Sequence, residues 1–256
     1  MQPLAWLGLA WRDMARAGWV SFAHGLALAL FGALIMAVAH DRFWLLAGAL
    51  SGFLVVAPML ATGLYAVSRA LERGERADFA LVRRTWLGEW RTPSAGAGGL
   101  VRFGLLLSLA ATGWVLTSAA LITLYAPQPI HAPMDFVRHV VLARTGWLFE
   151  AWLFMGSLLA APIFASSVVA MPLLLDRRLP VRLAVLTSWQ VVLANPVAMA
   201  FWAGLILAFT LLGLGAVLVG LVFVMPMLGH ASWHAYCDLV DAAALPLRDE
   251  AAQGAA

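Results

Sequence analysis

The sequence predicts an all-α polytopic membrane protein with six transmembrane helices arranged as three parallel helical hairpins. Of its 256 residues, 63% are hydrophobic and 11% are charged, and its mean hydropathy is +0.90. Soluble domains contain about 45–50% apolar and about 25% charged residues. Most of the chain is therefore expected to have lipid as its solvent.

Six apolar segments are long enough to cross about 30 Å of hydrocarbon at about 1.5 Å per helical residue. The predicted spans are 18–39, 43–66, 101–125, 147–174, 196–213 and 216–237. The last two are separated by Gly213-Leu214-Gly215, where glycine allows the backbone to reverse. A single helix over both segments would be roughly twice as long as the bilayer core is thick.

The first segment could be mistaken for a secretory signal. Arg12 and Arg16 precede an apolar run that ends in Ala37-Val38-Ala39, which resembles a signal-peptidase site. However, the run from Gly18 to Ala39 is about twice the length of a usual signal core and is sufficient to span a bilayer. We therefore expect it to be retained as a helix.

The segments between the spans are expected to lie at the inner membrane surface. They are an N-terminal interfacial segment at 1–17, amphipathic cytoplasmic loops at 67–100 and 175–195, and a cytoplasmic tail at 238–256. In the N-terminal segment, apolar residues recur on one helical face, at Leu4, Leu7, Trp11 and Met14. Asn195-Pro196 is typical of a helix start and predicts the beginning of the fifth span. All these segments belong to one membrane domain over 1–256.

The arginines predict the orientation. All 16 basic residues are arginine, and thirteen fall on one side of the predicted spans. The other three are Arg42, Arg138 and Arg144. By the positive-inside rule this places both termini in the cytoplasm. Because the arginines lie in short loops between apolar spans, nucleic acid is not an expected partner. The expected partners are membrane lipids and other membrane-protein subunits.

The even-numbered spans share a pattern that predicts a threefold internal repeat. GFLVVAPMLATG begins at Gly52, GSLLAAPIFASS at Gly156 and GLVFVMPMLGHA at Gly220. Each contains a glycine followed, six residues later, by a proline that kinks a helix. Such self-similarity predicts a bundle of parallel hairpins about a pseudo-threefold axis.

The residues of this repeat have two interpretations. The prolines are Pro58, Pro162 and Pro226, and four residues after each lies a polar residue, Thr62, Ser166 or His230. These positions could line a central cavity. Alternatively, the kinks and small residues could simply allow helices to pack closely.

Five segments resemble a family of bacterial integral membrane proteins catalogued as domain of unknown function 2189. They are GLAWRDM, SFAHG, GFLVVAPMLATGLYAVSRALERGE, SWQVVLANPVAMAFWA and PMLGHASWHAYCDL. The resemblance implies a six-helix cytoplasmic-membrane protein without an established activity. Some relatives carry a label that links them to cytochrome c oxidase, and no catalytic residues come with the family.

Three histidines form the candidate metal or haem site. His230 and His234 are four residues apart and share a helical face. His24 lies at a matching depth of the first span, which would neighbour the sixth if the hairpins close a ring. Imidazole is a common ligand of copper, zinc and haem iron. Alternatively, the two histidines of the sixth span are stabilised by the C-terminal end of their helix.

Three functions of different classes follow from these observations. The sequence carries no phosphate loop, HExxH, GxSxG or paired-carboxylate motif, so an enzyme is not supported. The first hypothesis is a structural or accessory subunit of a membrane complex, for which the label of some relatives indicates a respiratory oxidase. The second is a metal- or haem-binding protein that uses His24, His230 and His234, and the third is a small transporter or channel.

Overall fold

The fold is entirely helical over the part of the chain that the computed structural model describes, residues 2–39, 60–91, 99–143, 146–216 and 218–247. The helices are α1 (Gln2–Ala17), α2 (Trp19–Ala39), α3 (60–72), α4 (Phe79–Arg91), α5 (Gly99–Tyr125), α6 (Pro133–Phe136, continued by a π-helical turn over Val137–Val141), α7 (Leu148–Ser167), α8 (Ala170–Asp176), α9 (Val181–Ala194), α10 (Pro196–Gly215) and α11 (Leu221–Leu239). Among these residues β pairing is limited to an isolated bridge between Arg177 and Leu247.

Four stretches of the described residues are long and apolar enough to cross a membrane. They are Trp19–Val38, Gly99–Tyr125, Leu148–Asp176 and Pro196–Gly215, and they coincide with the first, third, fourth and fifth predicted spans. Most of the second predicted span, 43–66, lies outside the described residues. The sixth coincides with α11, which carries His230 and His234 and is not among the four.

The structure describes two of the three prolines of the predicted repeat. Pro162 lies inside α7 and Pro226 lies inside α11, whereas Pro58 falls outside the described residues. The threefold repeat therefore stays a prediction.

The connection between α10 and α11 differs from the one that the sequence predicts. The two helices are separate, but Gly213 and Gly215 belong to α10 instead of forming the turn. The chain turns after Gly215, where Leu218 has a left-handed φ of 67°. Gly213 instead allows close packing, because a Cβ atom there would lie 2.9 Å from Leu221 Cδ2. Gly213 thus serves helix contact and not the reversal, whereas a Cβ atom at Gly215 would meet nothing within 4 Å.

The contacts divide the chain into two compact units, one formed by 1–30, 59–104 and 164–256 and the other by 31–58 and 105–163. In the first unit, helix α1 runs antiparallel to helix α11. Trp6 Nε1 donates a hydrogen bond to Asp238 Oδ2 at 2.9 Å, near the end of α11. The Trp6 ring also meets Trp202 of α10 edge to face, with 5.6 Å between ring centroids. Both indoles are almost fully buried, so α1 is part of the packed interior of this unit.

The apolar residues predicted to share one face of α1 differ in burial: some are exposed and others face the interior of the protein. Leu4 and Trp11 are 50% and 58% exposed, whereas Met14 is buried. The buried face of α1 instead contains Trp6, Ala10 and Asp13 beside Met14. The helix therefore has one face packed on the protein and an exposed apolar face suited to a membrane surface.

The contact between α2 and α11 continues this antiparallel arrangement and depends on a glycine. A Cβ atom at Gly25 would collide with the backbone oxygen of Val222 and would lie 2.7 Å from that of Leu221. Phe22 and Phe223 pack edge to face beside it, with 5.4 Å between centroids. The predicted adjacency of the first and sixth spans is confirmed, and the two backbones touch at Gly25.

The second unit is held together by aromatic packing. Trp152 of α7 packs against Trp114 of α5, Phe136 and Phe149, with ring centroids 5.3–6.3 Å apart. Its indole N–H donates a hydrogen bond to Ser118 Oγ of α5. One indole therefore joins α5, α6 and α7.

Replacing Gly25 with alanine should separate α2 from α11. The added methyl group meets backbone atoms, which cannot move out of its way as a flexible side chain can. We expect a loss of about 1–3 kcal/mol in the free energy of unfolding, measured by denaturant titration of the purified protein in detergent.

Gly8→Ala is the matched control, because a Cβ atom at Gly8 of α1 would meet nothing within 4 Å. Alanine is favoured over glycine in a helix by up to about 1 kcal/mol, so this variant should be at least as stable as the wild type. Equal stability of Gly25→Ala and Gly8→Ala would show that the α2–α11 contact is not tight.

Candidate functional site

Four helices of the first unit bring a set of polar side chains into its interior. We define the polar network as Asp13 of α1, Ser21 of α2, Ser68 and Glu72 of α3, and His230 and His234 of α11. Two helices each supply a pair four residues apart, a spacing that places both members of the pair on one face. The network is thus assembled where α1, α2 and α3 meet α11.

Asp13 lies at the centre of the polar network. Ser68 Oγ donates a hydrogen bond to Asp13 Oδ2 at 2.7 Å, and His234 Nε2 donates to the same oxygen at 2.8 Å. All three side chains are buried, with Ser68 fully inaccessible. One carboxylate therefore links α1 to both α3 and α11.

The hydrogen bonds define the protonation of His230. Since the Ser68 hydroxyl hydrogen is donated to Asp13, Ser68 Oγ can only accept from His230 Nδ1, which lies 2.7 Å away. Neutral imidazole then has an unprotonated Nε2. That nitrogen accepts the hydroxyl of Ser21 at 2.8 Å. Hydrogen bonds accordingly run from Ser21 through His230 and Ser68 to Asp13.

The other end of the network reaches the protein surface through Glu72. His234 Nδ1 lies 3.5 Å from Glu72 Oε1, and the Glu72 side chain is 41% exposed. Trp233 Nε1 donates to Glu72 Oε2 at 3.0 Å, which orients the carboxylate. His234 is thereby placed between a buried carboxylate and an exposed one.

Burial and hydrogen bonding act in opposite directions on Asp13. Burial alone would raise the pKa of this carboxyl, because the charged form loses hydration. The hydrogen bonds from His234 and Ser68, together with the charges of the two histidines of α11, outweigh that effect and lower the pKa below 3.8. Asp13 is therefore a carboxylate at neutral pH.

His24 lies next to the network but is bonded differently. Its Nδ1 donates to the carbonyl of Val20 at 2.7 Å, so its Nε2 is unprotonated in the neutral ring. This buried nitrogen has no hydrogen-bond partner among the described residues. It faces Gly63 of α3, where a Cβ atom would lie 2.6 Å from it.

The three histidines of the predicted metal or haem site are all buried, but the ring nitrogens of His230 and His234 serve other contacts. Both nitrogens of His230 face serine hydroxyls, and those of His234 face carboxylates. Within the described ranges, no three His, Cys, Asp or Glu side chains are grouped so that they could hold a metal ion. A site for copper, zinc or haem built from His24, His230 and His234 stays a prediction.

The residues predicted to line a central cavity have separate surroundings where they are described. His230 belongs to the polar network, whereas Ser166 accepts a hydrogen bond from Trp189 Nε1 at 3.0 Å. Thr62 is buried in α3. The cavity formed by these positions with Pro58, Pro162 and Pro226 likewise stays a prediction, because Pro58 lies outside the described ranges.

The comparison with protein families matches residues 45–176 to the sequence model described as "Predicted integral membrane protein (DUF2189)". This match covers more than half of the chain. The chain belongs to this family. No curated protein and no solved structure matches it.

Membership of this family confirms the resemblance found in the sequence and makes the chain an integral membrane protein. The family description names no activity, no partner and no ligand. The hypothesis of an accessory subunit therefore stays a prediction. Within this member of the family, the polar network is the arrangement of titratable groups from which a function can be argued.

Sequence reasoning found the histidines of α11 but missed Asp13, Ser21, Ser68 and Glu72. Ser68 and Glu72 show the same four-residue spacing as His230 and His234, and this shared spacing was the available signal. Asp13 gave less indication, since a single acidic residue beside two arginines resembles the polar face of a surface helix.

Acidification should destabilise the protein through Asp13. Because its pKa is lowered on folding, its carboxylate contributes stability above the unfolded value of 3.8, and this contribution is lost as the pH falls through the folded value. We expect the thermal midpoint to fall more steeply between about pH 5 and pH 3 for the wild type than for Asp13→Asn. Parallel pH profiles of the two proteins in detergent would contradict this account of Asp13.

Proposed function

We propose that this integral membrane protein takes up and releases protons at the polar network as part of transport, which is the third of the hypotheses drawn from the sequence. The observation that supports it is the continuous row of titratable and hydroxyl groups from exposed Glu72 to buried Ser21. Ionisable residues inside a membrane protein are costly and commonly mark a proton or ion pathway.

The direction of the hydrogen bonds supports proton transfer towards Asp13. A proton that binds His230 Nε2 makes the ring cationic. The ring can then release its Nδ1 proton to Ser68 Oγ, while Ser68 passes its own hydroxyl proton to Asp13. Each step moves a proton along an existing hydrogen bond of 2.7 Å. After these proton transfers Asp13 is neutral and His230 no longer carries a positive charge.

The second part of the path connects Asp13 with the surface. His234 lies between Asp13 and Glu72 and can bind a proton at either nitrogen. When His234 carries its hydrogen on Nδ1 and its Nε2 is unprotonated, neutral Asp13 can pass its proton to Nε2 while Nδ1 passes its proton to Glu72, 3.5 Å away. This transfer restores the Asp13 carboxylate and the Nε2–H donor seen in the structure. The exposed carboxylate exchanges protons with water, so the proposed path is open at this end.

The proposed setting is the bacterial cytoplasmic membrane, with six spans and both termini inside. Glu72 follows the second predicted span, and on this topology it faces the cytoplasm. The positive-inside distribution of the arginines supports that orientation. The polar network would then be the cytoplasmic end of the pathway.

Proton flux tests the function directly. The wild-type protein, reconstituted into liposomes that contain a pH-sensitive dye, should move protons faster than protein-free liposomes when a membrane potential is imposed. His230→Ala and Asp13→Asn each interrupt the path, and we expect each to lower the flux by about tenfold or more. The dye response gives the initial rate.

His131→Ala is the matched control, because His131 is exposed and lies outside the network. Its flux should stay within about twofold of the wild type, well inside the effect expected for a relay residue. Wild-type liposomes no faster than empty ones, across a range of added solutes, would contradict the proposed function.

Reporter fusions test the proposed topology. Fusions after Pro93, His131 and Ala256 should report the cytoplasm, the periplasm and the cytoplasm, in that order, because six spans separate the two termini. A periplasmic C-terminus would mean that residues 196–237 cross the membrane once and not twice.

A further inference from the structure

Helix α1 presents an exposed face on the side opposite to Asp13, and we call it the outer face. Its apolar residues recur at the three- and four-residue spacing of a helix and are all exposed: Leu4, Gly8, Trp11 and Ala15. A Cβ atom at Gly8 would meet nothing within 4 Å. The buried face of α1, which contains Asp13, packs on α10 and α11. The outer face is therefore directed away from the interior of the first unit.

Two arginines adjoin the apolar residues of the outer face. Arg12 and Arg16 are four residues apart and lie on one side of the helix. Both are exposed, and neither forms a hydrogen bond or an ion pair within the described ranges. Asp13, the acidic residue between them in sequence, is turned inward and bonded to Ser68 and His234. Both guanidinium groups are permanently charged and accessible to a partner outside the protein.

The outer face lies beside the end of a membrane span. Gly18 alone separates α1 from α2, and α2 contains the stretch Trp19–Val38, which is long and apolar enough to cross a membrane. Trp19 is exposed at the first position of that stretch, and tryptophan is enriched at the level of lipid headgroups. Arg16 precedes Trp19 by three residues. The arginines of α1 are thus close to the level at which lipid phosphates are found.

We propose that the outer face of α1 binds anionic lipid headgroups. A helix with exposed apolar residues next to arginines is suited to the boundary between headgroups and acyl chains, and it is attracted to anionic lipids. Guanidinium groups also form two parallel hydrogen bonds to phosphate oxygens. This interaction goes beyond the proton function, because it uses the side of α1 that lies opposite to the polar network.

Charge favours lipid over a second copy of the chain as the occupant of the outer face. A twofold contact through this face would place the same surface of both copies together. Arg12 and Arg16 would then lie close to the same arginines of the other copy, and such like-charge contacts are costly. Anionic headgroups supply the opposite charge instead.

Lipid selection around α1 tests the proposal. A fluorophore is attached to Gly8→Cys of the full-length protein with Cys237→Ser, and the protein is reconstituted into vesicles of phosphatidylcholine with a minority of phosphatidylglycerol. A nitroxide quencher is carried by either lipid at the same mole fraction. We expect stronger quenching by labelled phosphatidylglycerol, because anionic lipid is enriched at the outer face. This preference should fall when salt is raised to about 1 M, where the Debye length is about 3 Å.

Arg12→Gln and Arg16→Gln should each lower the preference for phosphatidylglycerol by up to about fivefold, the effect expected for one arginine near an anionic surface. Arg84→Gln is the matched control, because it removes an exposed arginine of α4 and should leave the preference unchanged.

A fluorophore at Gly113→Cys provides the reference for contact with lipid. Gly113 lies within the span Gly99–Tyr125, and a Cβ atom there would likewise meet nothing within 4 Å. This label should be quenched by both lipids to the same extent. Equal quenching of the Gly8 label by the two lipids would overturn the proposal, as would an equal effect of Arg12→Gln, Arg16→Gln and Arg84→Gln. Absence of quenching at Gly8 would also overturn it, because the outer face would then be covered by protein.

Discussion

The burial of one carboxylate, Asp13, is the constraint on which the first unit depends. An ionised carboxylate without partners would be too costly to bury. Here the hydroxyl of Ser68 and the imidazole of His234 supply hydrogen bonds at 2.7 and 2.8 Å. These two partners come from α3 and α11, so the charge of Asp13 is accommodated only when three helices are in place. Helix α1 is consequently tied to α3 and α11.

The same requirement accounts for the chemistry that we propose. Groups that stabilise a buried charge by hydrogen bonds are also groups that exchange protons, provided that some of them titrate. His230 and His234 meet this condition, and Glu72 connects them to the surface. A second buried carboxylate of the first unit, Asp176, is stabilised by the guanidinium groups of Arg73 and Arg177 instead of imidazoles.

The sequence predicts the helices better than it predicts the site. Apolar length identifies the helices that contain the first, third, fourth and fifth spans, and Asn195-Pro196 correctly marks the start of α10. Hydropathy reports one segment at a time, which is why it cannot show that Ser68 and Asp13 meet across a separation of 55 residues. The turn after α10 was misplaced for a related reason, since glycine serves both reversal and close packing, and only the position of α11 distinguishes the two uses. The four-residue spacing of His230 and His234 did indicate a shared face, but not the partners of that face.

The coupling between Asp13 and His234 tests this account most directly. It can be measured by a double-mutant cycle of Asp13→Ala, His234→Ala and the double variant, using denaturant unfolding in detergent. Because the two side chains form a buried hydrogen bond to a charged group, the account predicts a coupling free energy of about 1.5–3 kcal/mol. Effects that add to within about 0.5 kcal/mol would contradict it, because Asp13 and His234 would then stabilise the protein independently of each other.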